Sequence, residues 1–165
     1  AYRFCTKFSK PITIVKEGVT YNFDDDYTAY IPYVTPGNFY GDNISKQFFN
    51  SFENVYSVTS ISKIEDDKLA FLPILMSLKD NKKVVITEAN LEDYPGLYLR
   101  KNKDEANSLC GIHANYPKTE EQGGYNMLQY LVREREDYIA KVEDTRNFPW
   151  RCMIISSEDK ELLNK

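Results

Sequence analysis

Residues 69–87, LAFLPILMSLKDNKKVVIT, decide the fold of this chain. An apolar run over residues 69–78 leads into a polar turn at residues 80–82, and the β-branched series Val-Val-Ile-Thr follows at residues 84–87. Side chains of this type pack well on a pleated surface, and two short apolar runs around a turn are typical of a hairpin. Pro73 interrupts the first run, which is also too short to cross a bilayer. The stretch therefore predicts two antiparallel strands of a β-hairpin.

Short strand-like runs continue outward on both sides of this hairpin. They are residues 2–8, 12–15, 19–23, 28–34, 54–64, 97–100, 138–142 and 150–156. The pair 12–15 and 19–23 predicts a hairpin around residues 16–18, whereas Pro32 confines its own run to a sheet edge or an irregular stretch. A turn is predicted at residues 35–38. Many short strands separated by turns predict a mainly β fold, a β-sandwich with few short helices.

Two segments have a less regular pattern. Within residues 109–136, Met127, Leu128 and Leu131 have helical spacing although strand-like segments surround them, so helix and strand both remain open there. Residues 157–163 predict the start of a helix, with Ser157 as its cap.

Composition restricts the classes of partner. The 165 residues, 42% of them hydrophobic, suffice for one domain with its own core. The 25 acidic and 21 basic residues are mixed, without the basic stripe that nucleic-acid binding requires. Cys5, Cys110 and Cys152 form no CxxC pair, so buried free thiols are predicted rather than a zinc site. The chain opens inside a strand-like pattern, which suggests a processed piece with any export signal upstream.

Most of the familiar catalytic arrangements are missing from the sequence. His113 is the single histidine, which excludes HExxH and multi-histidine metal sites, and no GxSxG elbow accompanies it. Its neighbours are small or apolar, so a structural role is the expectation for His113. No catalytic residue is predicted in the chain.

Residues 84–96, VVITEANLEDYPG, are the most informative stretch for chemistry. An apolar strand delivers the carboxylate of Glu88 at its end, and a short acidic loop with Glu92 and Asp93 follows. Strand ends are rigid, so a carboxylate there can be aimed at a metal ion or a sugar. An exposed strand-end charge is the alternative, and the spacing alone leaves both open.

Several motifs resemble the N-terminal domain of glycoside hydrolase family 97, the α-glucosidase and α-galactosidase family of gut Bacteroidetes. Residues 84–99 carry the main motif, and residues 71–75 look like the strand before it. Residues 136–141 and 145–151 are similar to a motif late in that domain, and residues 1–4 are similar to one of its early strands. The resemblance therefore runs nearly end to end.

The resemblance implies a fold and a role. In that family a galactose-mutarotase-like β-supersandwich packs on a (β/α)8 barrel, which supplies the catalytic residues. Residues 1–165 would be part of this sandwich, without the barrel. Glu88 matches the position of a calcium-binding glutamate, and the remaining ligands would come from the barrel. The parent enzyme would cleave oligosaccharides and be periplasmic or secreted.

Trp150 and Arg151 are candidates for substrate binding within the late motif. Their alternative role is that of a core anchor with a satisfied guanidinium, because an apolar strand follows at once.

Two other functions are compatible with the sequence. A stand-alone carbohydrate-binding or surface interaction module could use Tyr94, Tyr98 and Trp150 as a sugar-stacking platform. A complete small enzyme could pair Glu88 with Glu92 or Asp93, although carboxylates so close on one loop do not naturally flank a glycosidic bond.

Overall fold

The computed structural model describes residues 1–34, 44–48 and 51–163, so the turn predicted at residues 35–38 lies outside the described residues. The described strands are β1 Cys5–Lys7, β2 Ile12–Ile14, β3 Thr20–Asn22, β4 Thr28–Ile31, β5 Ser57–Ser60, β6 Ile74–Ser77, β7 Lys83–Ala89, β8 Leu97–Lys101, β9 Ser108–His113, β10 Pro117–Gly123, β11 Gln129–Arg135, β12 Ala140–Val142, β13 Thr145–Asn147 and β14 Trp150–Ser156. One short helix, α1 Ile44–Gln47, and three 3-10 segments, Ile61–Lys63, Tyr125–Met127 and Asp159–Leu163, complete the described elements.

The hairpin predicted from residues 69–87 lies at the centre of the main sheet. Strands β6 and β7 pair antiparallel, with Ile74 opposite Ile86, in a five-stranded sheet of order β14-β7-β6-β4-β5. Strand β6 begins directly after Pro73, which has no N–H group to donate to the ladder. The hairpin prediction is therefore confirmed, with a first strand shorter than the apolar run.

A second sheet faces the first. It contains three strands in the order β3-β9-β8. Fifteen buried residues from the two sheets and their connections form the core: Val19, Tyr21, Ala29, Ile31, Tyr33, Ile61, Ile64, Ala70, Ile74, Met76, Val84, Ile86, Leu97, Leu99 and Leu109. The alternation of side chains along β6, β7 and β8 directs every second residue into this core. The mainly β, sandwich-like fold predicted from the sequence is confirmed.

A smaller core lies beside the sandwich. Two-stranded pairs β1–β13 and β2–β12 surround it. Its buried members are Tyr94, Ile139, Ala140, Val142 and Phe148. The early strands are thus joined to the late ones, which brings residues 12–18 next to the end of the main sheet.

Two predictions about local structure were wrong, and a third was wrong in one of its two alternatives. Strands β2 and β3 do not form a hairpin, because β2 pairs with β12 whereas β3 pairs with β9. Strand β4 is an interior strand between β6 and β5, so the edge position is wrong, whereas Pro32 itself follows the end of β4 at Ile31 and lies in the irregular stretch that was the other alternative. Cys5 is exposed, because it lies on one of the small two-stranded pairs and not in the core, while the other two free cysteines are half-buried.

Residues 117–135 of the ambiguous segment form a hairpin. Strands β10 and β11 pair antiparallel around the 3-10 turn Tyr125–Met127, so the strand alternative is the right one for residues 129–135. The apolar side chains near its tip are exposed: Tyr125, Met127, Leu128 and Tyr130. The helix expected at residues 157–163 is a 3-10 segment, Asp159–Leu163. Across the described ranges, no helix has the length and apolar character needed to cross a membrane.

Candidate functional site

Glu88 and Arg151 lie opposite each other on neighbouring strands. Glu88 is near the end of β7 and Arg151 near the start of β14, and the antiparallel register makes them direct partners. Directly paired residues project from the same face of a sheet. Val84 and Ile86, on that face of β7, are buried in the core. The two charged side chains therefore close the end of the sandwich just beyond its apolar layer.

The guanidinium of Arg151 is the centre of a buried group. Its side chain is 1% exposed. Nη1 donates to Oε2 of Glu88 at 2.8 Å, and Nε donates to Oε1 of Glu17 at 2.8 Å. Nη2 lies 2.7 Å from the same Glu17 oxygen and donates to Nε2 of His113 at 3.2 Å. We call Glu17, Glu88, His113 and Arg151 the Arg151 cluster.

Glu88 is the member of the Arg151 cluster with an exposed edge. The backbone N–H of Leu97 donates to both its oxygens, at 3.0 Å to Oε1 and 3.2 Å to Oε2. Burial raises the pKa of Glu88, and the bonds from Leu97 and Arg151 oppose that rise. Its side chain is 14% exposed, against 7% for Glu17. The carboxylate is held by two donors of the domain, and its side chain keeps a small exposed fraction.

His113 serves as a neutral hydrogen-bond acceptor. Burial lowers the pKa of His113, the negative charge of Glu17 opposes this shift and the positive charge of Arg151 adds to it, and the resulting pKa is about 4. Because a guanidinium only donates, Nε2 of His113 accepts from Arg151 and the ring proton belongs on Nδ1. The structural role expected for His113 agrees with this contact.

Glu17 was missed by the sequence reasoning, which treated residues 16–18 as a hairpin turn. Its buried Oε2 lies 3.8 Å from Nε2 of His113, and the buried Oη of Tyr94 is near enough to Glu17 for a hydrogen bond between the two to contribute to the pKa of Tyr94. Burial raises the pKa of Tyr94, and the negative charge of Glu17 raises it further. The signal available in the sequence was a carboxylate between two strand-like runs, which looks the same as an ordinary surface turn.

The charges of the Arg151 cluster do not cancel. Two carboxylates face one guanidinium, and the neutral imidazole adds no charge, so the cluster is negative when both carboxylates are ionised. Burying an uncompensated negative charge is costly unless a cation lies nearby. The cluster as a whole is therefore suited to a cation outside it, and Glu88 is the carboxylate with an exposed edge.

The described part of the chain does not contain a complete calcium site. Calcium takes roughly six to eight oxygen ligands, several of them carboxylates. No group of three or more His, Cys, Asp or Glu residues in the described part of the chain could hold a metal ion. Glu88 would fit as one contributor to a shared site, whose other ligands would have to come from outside the described residues.

The remaining predicted site residues are dispersed. Trp150 is half-buried, and the Arg3 guanidinium lies 4.6 Å from its ring centroid. Arg151 is enclosed in its cluster, which is the arrangement of the alternative role as a core anchor, and its contact with sugar stays a prediction. Glu92 and Asp93 are exposed on the loop after β7, away from the buried setting of Glu88.

The proposed sugar-stacking residues have different surroundings. Tyr94 is buried, with its ring centroid 5.2 Å from that of Phe148, so it offers no open face to a sugar. Tyr98 is half-buried and packs at centroid distances of 5.1 Å from Phe48 and 5.3 Å from Phe71. Tyr94, Tyr98 and Trp150 therefore do not form a platform of three exposed rings.

Comparison with known proteins agrees with the resemblance predicted from the sequence. The chain matches the family described as Glycosyl-hydrolase 97 N-terminal over residues 1–165. It is 49% identical over 162 residues to a protein named retaining alpha-galactosidase from Bacteroides thetaiotaomicron. That match covers 98% of this chain and 24% of the relative, so the chain spans about a quarter of that protein.

Solved structures show the same fold. A glycoside hydrolase family 97 enzyme from Pseudoalteromonas sp. strain K8, in complex with acarbose, matches with a TM-score of 0.65 and 19% identity. A variant of that enzyme in complex with panose matches equally well. Each match covers 99% of this chain and 20% of the solved chain.

Proposed function

The chain belongs to the Glycosyl-hydrolase 97 N-terminal family. We propose from this that it is part of the β-sandwich domain of a glycoside hydrolase and that it packs on a catalytic (β/α)8 barrel. We further propose that Glu88 is one ligand of a calcium ion beside the substrate. The observation that carries this role is the geometry of Glu88. Its carboxylate is fixed by Leu97 and Arg151 while one edge stays exposed at the end of the sandwich.

The carboxylates in the described part of this chain are not arranged as a catalytic pair. Glycosidic cleavage needs a general acid and a second carboxylate on opposite sides of the bond, a few ångströms apart. His113 is buried within the Arg151 cluster, and Glu92 and Asp93 share one loop with each other. We therefore assign the acid and its partner carboxylate to the barrel, and to this domain the ordering of the site.

A bound calcium ion would supply a fixed positive field that can hold sugar hydroxyls or polarise catalytic groups. The contribution of this chain would be to hold the carboxylate of Glu88 in position. The Leu97 N–H and the Arg151 guanidinium restrict the rotation of the Glu88 side chain. A preorganised ligand loses less conformational entropy when it coordinates an ion.

The substrate class and the compartment are also proposals. The relative with 49% identity is named a retaining alpha-galactosidase, which makes an α-galactoside the first substrate to test and retention the first stereochemistry. The family resemblance supports a periplasmic or secreted enzyme. Trp150 stays a candidate sugar contact, because its ring is half-buried rather than enclosed.

The test is Glu88→Gln in the full-length enzyme that contains this domain. Glutamine keeps the shape and one acceptor oxygen for the Leu97 N–H while removing the charge. We expect weaker calcium binding and a loss of aryl-α-galactoside hydrolysis that added calcium partly restores. Glu92→Gln is the matched control, because Glu92 is exposed a few residues away. Unchanged hydrolysis and unchanged calcium dependence in Glu88→Gln would disprove the assigned role.

A further inference from the structure

The contacts of Arg151 are distributed unequally between the two carboxylates. Glu17 faces both Nε and Nη2, at 2.8 and 2.7 Å, whereas Glu88 receives Nη1 alone, at 2.8 Å. Glu17 is also the more deeply buried of the two, at 7% exposure against 14%. The main counter-charge of the guanidinium is therefore Glu17.

This distribution has an electrostatic consequence at Glu88. A lone guanidinium next to a metal-binding carboxylate would repel a divalent cation and cancel the charge that attracts it. In a partly buried site such an interaction is weakly screened, so it acts strongly over a few ångströms. With Glu17 on the other side of the guanidinium, the pair is close to neutral. Arg151 can then hold Glu88 in place without cancelling its charge.

We propose that Glu17 is a positioning residue for Glu88: it neutralises Arg151 from inside the domain, so that Arg151 orients the Glu88 carboxylate while the charge of that carboxylate stays available to calcium. This inference rests on the proposed function of Glu88. His113 completes the arrangement, because its neutral Nε2 accepts the second bond of Nη2 without adding charge.

The test uses calcium affinity in the full-length enzyme, measured by competition with a fluorescent chelator. Glu17→Gln keeps the side-chain shape and an acceptor for Arg151 but leaves Glu88 as the one carboxylate of the Arg151 cluster that faces the guanidinium charge. We expect the calcium Kd to rise by about tenfold or more, the range typical of losing a partner outside the ligand shell. Glu121→Gln is the control, because Glu121 pairs with Arg133 on the exposed hairpin and both side chains are more than half exposed.

A double variant separates a charge effect from a purely structural one. In Glu17→Gln/Arg151→Gln both buried charges are gone, and replacing a buried ion pair by neutral groups is often tolerated. We expect calcium affinity to recover relative to Glu17→Gln alone. If Glu17 only supported the fold, the double variant would bind calcium no better than the single one, and the proposal would be wrong.

Stability is measured alongside binding, by thermal denaturation in EDTA. If Glu17→Gln does not fold, Glu17→Asp decides, because it retains the negative charge. If Glu17→Asp binds calcium with an affinity close to that of the wild type, the proposal is supported. If its calcium affinity is as low as that of Glu88→Gln, the proposal is overturned. Different results would disprove the calcium role of Glu88 and the positioning role of Glu17. Unchanged affinity in Glu88→Gln removes the calcium role itself, whereas weaker binding in Glu88→Gln with unchanged affinity in Glu17→Gln removes only the role of Glu17.

Discussion

Acidification should destabilise the protein through His113. In the folded chain, burial and the charge of Arg151 lower the pKa of this histidine from 6.5 to about 4. Between these two values the unfolded chain binds a proton that the folded chain does not bind. The stability that the neutral His113 contributes is therefore fully present above pH 6.5 and is lost as the pH falls toward 4. The shift corresponds to about 3 kcal/mol of unfolding free energy.

The experiment compares the wild-type chain with His113→Gln by urea denaturation, from neutral pH down to about pH 4.5, a range that spans most of the shift. The glutamine amide oxygen can still accept from Arg151, but the side chain does not titrate. We expect the wild type to lose about 2–3 kcal/mol more than the variant over that range.

Glu88 acts in the opposite direction, because its raised pKa favours proton uptake by the folded chain and adds stability as the pH falls toward that pKa. Both proteins contain Glu88, so its contribution largely cancels in the comparison. Equal pH dependence in the wild type and His113→Gln would refute the buried neutral histidine.

Two substitutions test the packing around the same site. Arg151→Met leaves two buried carboxylates without their cation and should lower the free energy of unfolding by about 3–5 kcal/mol in urea denaturation. Its control, Arg133→Met, breaks an exposed ion pair and should change that free energy by less than about 1 kcal/mol. Similar losses in the two variants would contradict the buried network. Gly111→Ala should lower the melting temperature and cost about 1–3 kcal/mol, because an added Cβ would lie 2.1 Å from Val19 and 2.7 Å from Leu97. An unchanged melting temperature would show that the side chains of Val19 and Leu97 do not close over this glycine.

Local patterns predicted the strands better than their partners. The hairpin of β6 and β7 was predicted correctly because its two strands are joined by a short turn, so proximity along the chain selects the pairing. Residues 12–15 and 19–23 carry a similar pattern, yet their strands pair with β12 and β9, respectively. Alternation indicates that a segment is extended and which of its faces is apolar, but any edge with a compatible face can accept it.

The position of Glu88 at a strand end was predictable, and the resemblance to the family supplied its proposed role. Its environment was not predictable. Glu17 is 134 residues from Arg151 in the chain, and Glu88 is 63 residues from it. A carboxylate between two strand-like runs looks identical whether it is solvated or buried. The difference arises when the early strands join the late ones and carry Glu17 to the end of the main sheet.

The sequence by itself determined a mainly β domain with a central hairpin, and it indicated the family through several motifs that follow one another along this chain. These properties depend on residue spacing within single segments, which the sequence records directly. Only the tertiary structure decided that Glu17, Glu88 and His113 share one guanidinium. Hydrogen bonds and buried charges act over a few ångströms in space, and long-range strand pairing, not spacing along the chain, brings these four side chains within that distance.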